Sequence, residues 1–362
     1  MKISTIIVLY QIYQTIPYHK HQNNIFCCKK TIIIFIFMEP FSTTSKENII
    51  EEVDVYLFKM PVEYSLGHCV SKDMHMSAGI ASYFKSVFGR VGELMDQRPG
   101  VGDVAYLKVN DRFVFYLVTK ELKYLKPTYK TLTSAVIKLR DLIVKHNVKK
   151  LALPRIGCGL DKLDWKVVKQ ILYDKFQDAG CMIKICHFTH DKDVERKSFR
   201  ILHPRILKTT KEIKNIGKRE FEKLNFILYA YSTTTPVYWD YRFNRVNDKY
   251  NFKSQYFKDF NNNLMVGECL YYSTNEAHVF VIFVKERLSD SFSYQNLESG
   301  LLKIKNIIYT NQWHPTFIVQ ELEEPAFERT ANQKITSLIS TIFIPLTPCV
   351  IFEKREDFLF TN

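Results

Sequence analysis

From about residue 48 the chain alternates two hydrophobic rhythms, a short period-two or continuous apolar run and a longer run with apolar residues every three or four positions. The first rhythm predicts strands and the second amphipathic helices, and their alternation predicts an α/β fold. Residues 53–59 read as an extended run ended by Pro61, and residues 77–88 as a helix with Ile80, Phe84 and Phe88 on one stripe. Residues 104–109 and 112–119 read as two strands joined by Asn110-Asp111, a two-residue hairpin signal. A long helix is predicted over 127–147, carrying Leu132, Val136, Leu139 and Ile143 inward. Then follow a buried strand at 151–153, a helix at 164–176 and a closing strand at 182–188.

The pattern recurs. At an offset of 165, Gly102-Asp103 matches Gly267-Glu268, Val114-Phe115 matches Val279-Phe280, and Lys120-Glu121 matches Lys285-Glu286. Tyr129 and Leu132 match Tyr294 and Leu297 without a gap, while Tyr83-Phe84-Lys85 resembles Tyr256-Phe257-Lys258 at a different spacing. Residues 224–356 therefore read as a diverged copy of the first half. At the place of Gly157-Cys158-Gly159-Leu160-Asp161 the copy has Glu323-Glu324-Pro325-Ala326-Phe327, with no glycine and no aligned aspartate. Its aromatics Phe226, Tyr229, Tyr231, Tyr238, Trp239, Tyr241 and Phe243 read as core.

Length and charge refine this division. A chain of 362 residues exceeds one ordinary core. The expected organisation is a tail at 1–47, a first domain at 48–190, a basic connector at 191–223 and a second domain at 224–362. Of the net charge of +13, residues 1–37 hold +4 and 191–223 hold +5, so the two folded halves are only mildly basic. Residues 1–37 contain no acid, glycine or alanine, and their apolar runs are too short to span a bilayer. They are expected to lie outside the fold, upstream of the true initiation site, the weaker option being a membrane-surface anchor. The eight cysteines form no CxxC pair, so reduced thiols and a nuclear and cytoplasmic location are expected.

Three elements of the first half carry candidate chemistry. Residues 154–161 follow a buried strand and precede a helix, where two glycines let backbone N–H groups approach a phosphate; a structural tight turn would look the same. Gly67-His68-Cys69-Val70-Ser71, followed by Ser77-Ala78-Gly79-Ile80-Ala81, is a second small-residue loop entering a helix. Lys120 ends an apolar strand, either as a partly desolvated nucleophile or as a snorkelling surface amine. Asp161 either caps the next helix or handles protons beside Lys120.

Together these residues resemble the macrodomain family, and within it the terminal ADP-ribose protein glycohydrolase branch. Residues 55–190 carry the resemblance, in Ser65–Ser71, Met76-Ser77-Ala78-Gly79-Ile80-Ala81, Phe84-Lys85, Tyr116-Leu117-Val118-Thr119-Lys120, Lys126-Pro127-Thr128-Tyr129 and Pro154-Arg155-Ile156-Gly157-Cys158-Gly159-Leu160-Asp161. The resemblance implies a three-layer fold, a mixed sheet between helices, and a metal-free, cofactor-free hydrolase. It implies Lys120 as nucleophile toward the distal ribose, Asp161 as its proton-handling partner, and a glutamate or aspartate as the freed side chain. Substrate would be held by Ser71, Ala78, Gly79 and Ile80 on one side. Thr119, Pro154, Ile156, Gly157, Cys158, Gly159 and Leu160 would hold it on the other. Where the family has a Gly-Asp that reads adenine, this chain has Val55-Tyr56, and Asp54 is the expected substitute.

The expected partners are ADP-ribose and ADP-ribosylated proteins. The alternative is a binding module that recognises ADP-ribose without turnover. A weak contact of residues 191–223 with nucleic acid or poly-ADP-ribose is a lesser expectation. The second copy, keeping Lys285 but no glycine loop, is expected to be inactive.

Overall fold

The computed structural model describes residues 49–187, 205–206, 223–236, 241–260, 263–313, 316–320, 322, 330–343 and 349–353. Glu47–Asn362 forms one compact unit. Its first half contains β1 (Ile50–Tyr56), β2 (Ser65–Ser71), α1 (Gly79–Phe88), α2 (Val91–Asp96), β3 (Val104–Val109) and β4 (Arg112–Lys120). These are followed by α3 (Tyr129–Lys145), β5 (Lys150–Leu153), α4 (Trp165–Phe176) and β6 (Met182–His187). The strands form a sheet ordered β1-β6-β5-β2-β4-β3, parallel except for β3 against β4. This is the expected mixed sheet between helices. The β3–β4 hairpin turns at Asn110, whose φ of 52° suits asparagine.

The second half contains β7 (Arg205–Ile206), β8 (Leu224–Ala230), α5 (Tyr241–Tyr250), α6 (Lys253–Asp259), β9 (Cys269–Ser273) and β10 (Ala277–Phe283). α7 (Tyr294–Asn311), β11 (Thr316–Gln320), α8 (Ala331–Ile342) and β12 (Cys349–Glu353) complete it. Its sheet is ordered β7-β12-β11-β8-β10-β9, the first order repeated strand for strand, again with only the last pair antiparallel. The offset of 165 holds at the level of single bonds. Gly102 N donates to Val118 O and Gly267 N to Phe283 O, both at 2.7 Å. Thr128 caps α3 and Ser293 caps α7, each accepting from the backbone three residues on at 3.1 Å.

Three sequence expectations change. The run at 53–59 stops extending at Tyr56 and closes as a short 3-10 turn over Leu57–Lys59, which buries Leu57. Tyr83-Phe84-Lys85 lies in α1 but Tyr256-Phe257-Lys258 lies in α6, the second helix after its strand, so chain order pairs α1 with α5 instead. Arg205-Ile206, inside the stretch read as a connector, pairs with β12 as the edge strand of the second sheet. The rest of 191–222, residues 323–329 and Tyr238-Trp239 lie outside the described residues, as do residues 1–48. Phe226, Tyr229 and Phe243 are core residues, as expected. Among the described residues no helix is long and apolar enough to cross a membrane.

The two halves join through unlike faces. Val114, Tyr116 and Val118 of β4 face a core that includes α1 and α2, whereas their counterparts Val279, Val281 and Phe283 face a different core beneath α5 and α6. It is the opposite face of β10, through Phe280 and Ile282, that shares the first core, with α7 and α8 between. At the join α2 and α7 cap each other. Glu298 accepts from Gly92 N (2.8 Å) and Val91 N (3.2 Å), and Asp96 from Tyr294 N (2.7 Å), Gln295 N (3.0 Å) and Ser293 Oγ (2.8 Å). Each carboxylate satisfies amides that a helix start leaves unpaired and sits at the positive end of the helix dipole.

Candidate active site

The parallel strands β2, β4 and β5 end at one edge of the first sheet, and a cavity of about 840 Å³ opens there. Ligands of open α/β sheets bind outside such carboxyl ends. β2 delivers Ser71 and β4 delivers Lys120, which are register partners across a local irregularity. β5 runs into the loop at 154–164, whose turns are closed by Cys158 N to Arg155 O (3.2 Å) and Leu163 N to Gly157 O (2.9 Å).

Gly157 has φ 71°, where a side chain is strained, and a Cβ there would stand 2.9 Å from Leu163 Cδ1, so this turn favours glycine. Across the cavity α1 begins at Gly79, φ 59°, where a Cβ would come within 3.3 Å of Leu160 Cδ1. The two small-residue loops therefore approach each other from opposite walls. Lys126 Nζ spans from the β4–α3 loop to Leu160 O at 2.6 Å and ties that wall down.

Lys120 Nζ donates to Asp161 Oδ1 at 2.6 Å, with both side chains about seven-eighths buried. The capping role goes to Asp164, which accepts from Lys166 N at 2.7 Å, so Asp161 is left to Lys120. Three cysteines line the same cavity, yet burial pushes the Cys69 thiol up to about 12 and those of Cys158 and Cys186 to about 11. They stay protonated near neutrality and are poor nucleophiles. His68, in the same motif, is buried and stacks on Phe84 at 3.8 Å, and burial drives it down to about 3. It is a core residue.

Ser71, Ala78, Gly79, Ile80, Pro154, Ile156, Gly157, Cys158, Gly159 and Leu160 all line the cavity with Lys120 and Asp161. Thr119 does not. Strand alternation turns it to the other face from Lys120, and it is buried with Oγ1 3.5 Å from Val70 O. Neither Asp54 nor Tyr56 lines the cavity; Tyr56 packs against Phe58, ring centroids 5.6 Å apart. Sequence reasoning missed Met76, Ser77, Lys123, Arg155 and Trp165 as lining residues. Arg155 sat inside the quoted motif, which was its signal; Trp165 gave none beyond following a capping aspartate.

Arg155 lies over the Trp165 ring at 5.7 Å, and both are anchored by Glu52 of β1. Glu52 accepts from Lys169 (2.7 Å), Arg155 (2.9 Å) and the Trp165 indole (3.3 Å). The Lys169 hydrogen bond, helped by Arg155 and Trp165 and opposed by burial, pulls its carboxyl down to about 2. A lowered carboxyl pKa stabilises the fold above its unfolded value of about 4.5, and that contribution is lost as pH falls toward about 2. In urea titrations over that window, wild type is expected to lose stability more steeply than Glu52→Gln. Parallel slopes would refute the anchoring role.

No family model matches the chain. The ADP-ribose glycohydrolase OARD1 of Bos taurus is 42% identical over 129 residues, which are 36% of this chain and 85% of that protein. The OARD1 of Homo sapiens is 41% identical over the same shares. Among solved structures, the macrodomain of Thermus aquaticus DarG matches at TM-score 0.35 with 21% identity, covering 39% of this chain and 97% of that one. With that share of OARD1 matched, and with the residues above lining one cavity, the chain belongs to the family of these ADP-ribose glycohydrolases.

Proposed function

We propose that the chain removes ADP-ribose from glutamate and aspartate side chains of modified proteins, with Lys120 as nucleophile and Asp161 as its proton partner. The observation that carries this reading is the 2.6 Å contact between Lys120 Nζ and Asp161 Oδ1 inside a glycine-walled cavity. An ammonium cannot attack until it loses a proton, and the Asp161 carboxylate is in reach to take it. The freed amine then bonds to the anomeric carbon of the distal ribose. The bond from that carbon to the ester oxygen breaks, and the protein carboxylate leaves with the electron pair. Water next displaces the lysine, Asp161 relaying the protons. Backbone N–H groups of residues 157–160 and of the α1 start would hold the diphosphate, between walls built by Ser71, Ala78, Gly79 and Ile80 and by Pro154, Ile156 and Leu160.

The same reading assigns residues 48–190 as the catalytic domain and the second half as a degenerate copy. Lys285, the counterpart of Lys120, is held by Leu288 O at 3.4 Å and lies 5.4 Å from the Tyr231 ring centroid. Among the described residues no carboxylate bonds to Lys285 as Asp161 bonds to Lys120, so no hydrolysis is proposed there. A nuclear and cytoplasmic location is proposed on the five free thiols among the described residues. Incubation of the full chain with a glutamate-linked ADP-ribosylated peptide is expected to release ADP-ribose. Binding of ADP-ribose without release would make the protein a reader instead.

A further inference from the structure

We propose that helix α8 of the second half positions the substrate-facing loop of the first half, with Ser337 as the positioning residue. The inference rests on the ADP-ribose reading for what that loop touches. Residues 72–78 connect β2 to α1 and give Met76, Ser77 and Ala78 to the cavity wall. Met74 (φ 48°) and Met76 (φ 43°) both lie in the left-handed region, which a long side chain avoids. Such a conformation persists only where the surroundings impose it.

The surroundings here are specific hydrogen bonds. Ser337 Oγ donates to Met74 O at 3.1 Å and approaches His75 O at 3.5 Å. Lys85 Nζ, from α1, donates to His75 O at 2.7 Å. Asp73 closes the loop from within, accepting from Ser71 Oγ at 2.5 Å and from His75 N at 3.4 Å. The carbonyls on both sides of His75, between the two left-handed residues, are thus fastened from outside the loop.

Ser337 is fully buried in α8, a helix whose Ile335, Leu338 and Ile339 also pack into the core. A hydroxyl in such a place is costly unless bonded, and the carbonyls it reaches belong to the cavity loop. Its neighbour Ser340 is as buried, but donates to Ser337 O within α8 itself. The two serines therefore separate a fastening role from a role in the helix. α8 lies outside the residues that carry the family resemblance, so the brace is a property of this two-part chain.

The test compares full-length wild type with Ser337→Ala, Ser337→Cys and Ser340→Ala. Hydrogen exchange at residues 72–80, the ADP-ribose dissociation constant, and kcat and KM on the glutamate-linked peptide are measured. Ser337→Ala is expected to speed exchange at 72–80 and leave the β4 amides unchanged. Its Kd and KM are expected to rise about fivefold, the worth of one buried hydrogen bond, with kcat within about twofold. Ser337→Cys, which keeps the shape but donates weakly, is expected to fall between. Unchanged exchange and Kd in Ser337→Ala, or equal changes in Ser340→Ala, would overturn the proposal. Were wild type neither to bind nor to release ADP-ribose, the functional reading would fail, while loop exchange would still decide whether Ser337 positions the loop.

Discussion

Replacing Lys120 with alanine is expected to lower ADP-ribose release by at least about 10³-fold, with ADP-ribose affinity changed less than about tenfold. In the proposed mechanism the lysine nitrogen is the atom that bonds to the ribose, and no cysteine in the cavity can substitute, since all three thiols there are held protonated by burial. Lys120→Arg sharpens the test. A guanidinium keeps a positive charge beside Asp161 but does not give up its proton, so this variant is expected to be as inactive as the alanine. It should also fold as wild type does, because the Asp161 carboxylate keeps a cation near it. Lys120→Ala leaves that mostly buried carboxylate uncompensated and should unfold at lower denaturant as well. Asp161→Asn is expected to reduce release by about 10²- to 10⁴-fold by removing the proton acceptor. Release by Lys120→Arg within tenfold of wild type would rule out a covalent lysine step.

Substituting Gly92 with valine is expected to destabilise the whole unit by about 3 kcal/mol or more. A Cβ at this position would overlap the Tyr294 carbonyl oxygen and stand 2.7 Å from Gln295 Cα. Those obstacles are backbone, and they belong to the first turn of α7, which Asp96 holds by three hydrogen bonds. The side chain can be admitted only if α2 and α7 separate, and separation stretches both reciprocal caps at once. The loss therefore combines steric strain with about 1 kcal/mol for each weakened cap. A urea midpoint that falls with an unchanged slope is the expected signature. A loss under about 1 kcal/mol would show that the two helices have room to slide.

Much of this architecture was readable from apolar spacing. Period-two runs located β3 and β4, and helical stripes located α1, α3 and α4 to within a few residues. The offset of 165 survived because it follows glycine turns and helix caps, whose geometry depends on single residues and is reproduced bond for bond. The Tyr-Phe-Lys match failed because aromatic residues recur on helices for packing alone, and nothing in three side chains fixes which helix they occupy. The edge strand at Arg205 was hidden by surrounding charge, since two residues are too few to show alternation. At the site, the residues expected to touch substrate line one cavity, except Asp54, which lies away from it, and Thr119, whose neighbour takes the inward face. Lys123 and Trp165 were not legible, because their place in the cavity comes from loops whose course local sequence does not set. Ser337 was even less visible, since its partner lies more than 260 positions away.

The joining of unlike faces has a consequence for how the duplicate could diverge. Two copies related by a twofold axis would spend the same surface on each other and remain under the same demands. Here one copy contributes the flank beneath α1 and α2 while the other contributes the flank bearing α7 and α8. The pair is head-to-tail, so its members have different jobs from the outset. The leading half keeps its strand ends open to a ligand, and the trailing half answers to the shape of its neighbour. With α8 in the proposed role of a splint, a substitution in it is judged by fit against residues 72–78, and the trailing half is free of the demands that a ligand places on the half it supports.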